Sequence, residues 1–142
     1  MTTPEAHLFL DKARRTLAKA RFDADYDFYE DAARGAYLVG FHAAQAFIFD
    51  RTGKVAKTHN GVRSEFARLA KGEPCIDRAF PAFLGKAYEL KTIADYEVDS
   101  SVTVSAEDAM AAIDTAVRFV ECIAGLLERP GPASHSRATP TS

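Results

Sequence analysis

Lys91 and Asp95 stand four residues apart with Tyr96 next in line, a spacing that puts an ammonium and a carboxylate on one helix face with a phenol nearby. A lysine so placed can hold phosphate charge. The same trio also reads as an exposed salt bridge beside a packed tyrosine, and spacing alone leaves both readings open. Two histidines add ionisable groups. His42 lies in the most apolar run of the chain, where a lone imidazole reads either as a neutral core residue bonded to a neighbour or as a catalytic group. His59 sits in Lys57-Thr-His-Asn-Gly61 just before a helix, where a turn or capping role stands level with anion binding at the helix N-terminus. Cys75 and Cys122 are isolated, with no CxxC spacing, so neither a zinc site nor a disulfide framework is indicated. There is no Gly-rich phosphate loop, no HExxH and no GxSxG, and the sequence calls for no metal and no cofactor.

The elements that must position these groups read as helices. The run from Ala36 to Arg51 is apolar nearly all round, with small residues on one part of its circumference and Tyr37, Phe41, Phe47 and Phe49 on the rest, which predicts a buried central helix. At sixteen residues, interrupted by His42 and Gln45, it is too short and too polar to span a membrane. This helix is expected to begin near Phe28 and to end at Gly53 in a left-handed cap. Before it, Thr3-Pro4 opens a first helix running to about Phe22, with Leu8, Leu10, Ala13, Leu17, Ala20 and Phe22 as its apolar face and Lys12, Arg14, Arg15, Lys19 and Arg21 elsewhere. The stretch 23–27 then breaks the pattern. Tyr26, Tyr29 and Tyr37 read as packing residues, and Phe28, Tyr29 and Tyr37 could also build a contact surface between copies.

Val62, Phe66 and Leu69 mark a short third helix, ended by Gly72 and Pro74. A fourth begins after Asp77 and ends near Tyr96, with Phe80, Phe83, Leu84, Ala87, Tyr88, Leu90, Ile93 and Ala94 as apolar positions. The segment 97–103 reads as a loop. Ser105 caps a fifth helix whose face is Ala109, Ala112, Ile113, Ala116, Val117, Val120, Ile123, Ala124 and Leu127. The prediction is an all-α, up-and-down bundle of about five helices over residues 3–128, followed by a disordered tail over 129–142, which has almost no large apolar residues.

The formal net charge of −2 gives no global pull toward nucleic acid, so any RNA contact must be a local patch. The basic face of the first helix reads either as solvated surface or as such a patch. The N-terminus lacks the basic start and apolar core of a secretory signal, and the unpaired cysteines fit a reducing, cytoplasmic setting.

Three blocks, Ala36-Tyr-x-x-x-Phe-His-Ala-Ala-Gln-Ala46, Lys57-Thr-His-x-Gly-Val-Arg-Ser-Glu-Phe66 and Leu90-Lys-x-x-Ala-Asp-Tyr96, in this order and at these spacings resemble the HEPN family (higher eukaryotes and prokaryotes nucleotide-binding), in particular its small single-domain prokaryotic members. The resemblance implies a helical bundle that forms homodimers, is often encoded beside a small nucleotidyltransferase as a toxin–antitoxin pair, and in many members cleaves RNA without metal. In catalytic members an Arg is followed after four to six residues by a His at the dimer cleft. Here Lys91 stands where relatives have the Arg, and Tyr96 where the His would fall.

Lysine keeps the charge but loses the planar two-pronged donor, and a tyrosine with a reference pKa of ~10 is a poor base at neutral pH. No other Arg in the chain is followed by a His at that distance. The resemblance therefore favours a toxin–antitoxin component that binds RNA, a nucleotide or a nucleotidyltransferase at the cleft. The alternatives are an active metal-independent endoribonuclease using Lys91, Asp95 and Tyr96 with help from His42 or His59, and a plain interaction scaffold. In related pairs the nucleotidyltransferase can attach a nucleotide to a Tyr near the signature, which makes Tyr96 a candidate acceptor.

Overall fold

Helix α2, Tyr29–Thr52, packs against each of the other four helices, which are α1, Pro4–Asp25, α3, His59–Ala70, α4, Ala79–Tyr96, and α5, Ala106–Glu128. The structure is a computed structural model that describes residues 4–96 and 103–128; among them there is no strand, and the fold is the expected all-α bundle. The expected tail over 129–142, the Thr3 cap and nearly all of the 97–103 loop lie outside the described residues.

Small side chains let α2 occupy the centre. Ala32, Ala33, Ala36, Val39, Ala43, Ala44 and Ala46 are wholly buried, so neighbouring backbones come close on several sides. At Gly35 an added Cβ would meet the Cβ of Ala20 on α1 at 2.8 Å, and at Gly40 the ring of Phe83 on α4 at the same distance. The helix ends as its sequence demands: Gly53 takes φ 73°, and its amide donates to the Phe49 carbonyl at 2.8 Å.

Helix α1 departs from the sequence reading. Leu8 and Phe22, read as part of its apolar face, are exposed, and Ala6, Leu10, Ala13, Leu17, Ala20 and Ala24 form the buried stripe. The helix runs on to Asp25 because the nearly buried Asp23 carboxylate is satisfied by Lys19 one turn earlier, at 2.8 Å, so the acidic stretch does not break it. The reversal comes at Asp27, in the left-handed region at φ 66°. Tyr37 is buried, which removes it from any surface shared between copies; Phe28 stays exposed.

Helices α3, α4 and α5 meet α2 around Phe119. Its ring stacks on Phe66 at 5.1 Å and on Phe80 at 5.0 Å, with Phe83 at 6.1 Å, and Phe66 in turn meets Phe47 edge-on at 5.7 Å. The periodic face read from the sequence of α5 omits Phe119. Ser105 caps α5 as expected, its hydroxyl accepting from the Asp108 amide at 3.0 Å.

Candidate functional site

Along one face of α4, Tyr88, Lys91 and Asp95 succeed one another at helical spacing, and α2 and α3 bring their own side chains to this face. Lys91 Nζ donates to Asp95 Oδ2 at 2.5 Å, as the spacing predicted. Arg34, from α2, is the unexpected member. Its Nε donates to Asp95 Oδ1 at 2.6 Å, one guanidinium nitrogen bonds Asp31 and the other the Ala94 carbonyl at 3.1 Å. Two cations from two helices therefore converge on one carboxylate. The bond from Lys91, and next to it the bond from Arg34, holds the Asp95 carboxyl below the usual carboxylate range.

Tyr96, one residue on, ends α4 with 78 % of its surface exposed. It is not the packed tyrosine that one reading of the sequence allowed.

The second group is built on aromatic contacts. His59 is the first residue of α3, and the cap is the neighbouring Thr58, whose hydroxyl accepts from the Gly61 amide at 2.9 Å. With the capping role filled by Thr58, the imidazole is left for other contacts. Its Nδ1 lies 2.9 Å from the hydroxyl of the buried Tyr37, and its ring stacks on Tyr88 with centroids 3.8 Å apart and 14° between planes. Tyr37 meets Tyr88 edge-on at 5.4 Å, and Lys91 Nζ lies 5.8 Å from the centre of the Tyr88 ring. Tyr88, read from the sequence as a core position, is instead 38 % exposed and joins the histidine to the lysine.

Burial pushes the Tyr37 phenol up to about 12, with nearby Tyr88 adding to it, so Tyr37 is neutral across the working pH range. Burial, then the charge of Arg63, pushes the His59 imidazole below its ordinary value. Arg63 lies across Gly85, where an added Cβ would come within 2.8 Å of its guanidinium, so α4 leaves bare backbone under it.

His42 belongs elsewhere. Its Nδ1 pairs with Gln45 Oε1 at 2.9 Å, and Gln45 Nε2 donates to the Ala56 carbonyl at 2.8 Å. The pair braces α2 against the segment leading to α3, and no hydrogen bond or ring contact among the described residues joins His42 to Lys91, Asp95 or Tyr96. Burial lowers the His42 pKa as well. Both imidazoles thus bind protons more weakly folded than unfolded, so stability is complete above the unfolded value of ~6.5 and is lost as pH falls below it. The melting temperature is expected to fall as pH drops from 7.5 to 5; a flat profile over that range would contradict both environments.

Residues that hold metal would have to come from clusters of His, Cys, Asp and Glu, and no group of three occurs among the described residues. A cavity of about 630 Å³ at the α3–α4 connection, lined in part by Lys71, Glu73, Asp77 and Arg78, contains none of the candidate residues. No helix among the described residues is long and apolar enough to cross a membrane.

Sequence reasoning missed Arg34, because nothing in its neighbourhood marks it and its partner Asp95 is 61 residues away. A search for a cation to replace the signature arginine among distant arginines would have included it but could not have chosen it. Comparison with known proteins agrees with the three sequence blocks. The chain is 28 % identical over 103 residues to "Putative toxin MJ0605" of Methanocaldococcus jannaschii, an overlap covering 72 % of this chain and 76 % of that protein. The profile of the HEPN domain matches residues 6–126, nearly the whole bundle, and the chain belongs to the HEPN domain family.

Proposed function

We propose that this protein is a toxin-like HEPN component of a toxin–antitoxin pair that engages RNA through a backbone phosphate at the Arg34–Lys91 centre. The observation that carries the reading is the convergence of a guanidinium from α2 and an ammonium from α4 on Asp95. Arg34 supplies the planar, multi-donor cation that Lys91 alone lacks, and the two offer donors of both geometries to the oxygens of a phosphodiester. Kinship to a protein named as a toxin supports the toxin-like role.

Binding of single-stranded RNA should weaken as salt rises, with log K falling by about 0.7 per unit of log salt for each phosphate neutralised. Lys91→Ala and Arg34→Ala should each weaken binding and reduce that slope, the double variant by about 0.7, while leaving circular dichroism unchanged. An unchanged slope in both folded variants would end the assignment of phosphate to this centre.

The exposure of Tyr96 favours a second reading, in which a nucleotidyltransferase partner modifies its phenol beside the cations. A one-nucleotide mass increment on the peptide containing Tyr96, after incubation with the partner and nucleoside triphosphate, is its signature. An unmodified Tyr96 would end that reading.

A further inference from the structure

We propose that Cys75 and Cys122 form a reversible disulfide when the protein meets a peroxide, fastening the α3–α4 connection to α5. Their spacing in the chain gives no hint of it, since they stand 47 residues apart; the fold brings them together. The Cys122 thiol donates to the Cys75 carbonyl at 3.7 Å, so its sulfur lies against the main chain of the other cysteine. That is the reach a disulfide needs, because bridged Cα atoms stand about 4.4–6.8 Å apart.

Packing holds the approach from both sides. On α5, Cys122 follows Phe119 by three residues and shares its face, and Phe119 stacks on Phe80, at the start of α4, at 5.0 Å. In the connection, Cys75 precedes the buried Ile76, whose amide donates to the Glu73 carbonyl at 3.0 Å. The Glu73 carboxylate accepts in turn from Arg51, at the end of α2, at 3.1 Å. Cys75 is exposed and Cys122 half-buried. The exposed thiol is the one a dissolved oxidant meets first, and the half-buried one is placed to resolve it. To reach Cys122, the Cys75 thiol gives up a weak bond to Glu73 Oε1 at 3.9 Å.

In the first step the Cys75 sulfur attacks one oxygen of hydrogen peroxide, the O–O bond breaks, and the departing hydroxide leaves as water with the thiol proton. Cys75 is then a sulfenic acid. In the second the Cys122 sulfur attacks the Cys75 sulfur, the S–O bond breaks, and the hydroxide leaves as water with the Cys122 proton. The two thiols lose two electrons and the peroxide gains them. A dithiol reductant restores both thiols by exchange. The bridge ties down the segment that leads into α4 and makes the oxidised bundle harder to open. It is independent of the reading of Arg34 and Lys91 as a phosphate site.

The test is hydrogen peroxide added to the full chain at low protein concentration, followed by intact mass, non-reducing peptide mapping and thermal melting. The expected result is the loss of two hydrogens, a peptide pair joining Cys75 to Cys122, and a melting temperature raised by about 5–15 °C and restored by dithiothreitol. Cys75→Ser and Cys122→Ser should each melt like the reduced protein and show no rise with peroxide. In equilibrium with glutathione, the disulfide should be favoured at least about tenfold more in the folded chain than in urea, the linked counterpart of that rise. Oxygen added to Cys75 with Cys122 untouched would overturn the proposal, as would a link between two chains through Cys75. A bridge equally favoured in folded and unfolded chain, or one that lowers the melting temperature, would overturn it too, because the fold would then not be holding the two sulfurs within bonding reach.

Discussion

Phe119→Ala is expected to lower the free energy of unfolding by about 3–5 kcal/mol, the usual cost of emptying a buried aromatic site. The ring is 0 % exposed and touches Phe66 from α3 and both Phe80 and Phe83 from α4, so two neighbouring helices face the void that alanine would leave. Collapse into that void would require α3 and α4 to shift together, and the cost should sit toward the upper end of the range. Against a typical total of about 5–15 kcal/mol, the variant would be close to unfolding at 37 °C. Urea titration should show a large fall in midpoint with little change in slope. Phe22→Ala is the matched control: Phe22 is 57 % exposed, and its loss should cost about 0.5 kcal/mol or less. Equal midpoints for the two variants would contradict the central place of Phe119. The effect reaches the site, because Phe80 and Phe83 anchor the helix that presents Tyr88, Lys91 and Asp95.

The fold was legible where the signal is local. An apolar helix with small residues on several sides has nowhere to go except the centre, and α2 is there; Gly53 and Ser105 announce helix ends through backbone chemistry contained in a few residues. Where burial depends on partners, the reading failed. Asp23 looks like a helix breaker until Lys19 is seen to neutralise it, and Phe22 looks like a core residue until Ala24 is found to take the buried position.

At the candidate site, the Lys91–Asp95 pair followed from i,i+4 spacing. Arg34 did not, since the three-dimensional neighbour of Asp95 is set by how α2 packs on α4, and one sequence carries no record of that pairing. The bond between Tyr37 and His59 is hidden for the same reason. Each residue alone has an ordinary explanation, packing for one and capping for the other, and only the approach of α3 to α2 puts the hydroxyl on the imidazole.

Asp95→Asn is expected to tighten RNA binding by about threefold to tenfold. As the site stands, Arg34 and Lys91 are matched by Asp31 and Asp95, so an incoming phosphate must displace a carboxylate already bonded at 2.5 and 2.6 Å. Each partly exposed pair is worth about 0.2–1 kcal/mol, so loosening the two pairs to Asp95 returns about 0.4–2 kcal/mol to a phosphate, a range that contains threefold to tenfold. Two effects oppose this. The amide orients the cations less firmly than the carboxylate did, and the link between α2 and α4 weakens, but the same small pair energies bound both losses. Binding measured at fixed salt, with the melting temperature taken alongside, separates the effects. Tighter binding with a slightly lower melting temperature would mean that Asp95 acts as a resident competitor for phosphate. Weaker binding in a folded variant would mean that its main contribution is to aim the two cations, and an unchanged affinity would mean that they do not face RNA at all. The carboxylate that made the Lys91–Asp95–Tyr96 cluster visible in the sequence is thus also the group whose removal best tells a phosphate site from a surface salt bridge.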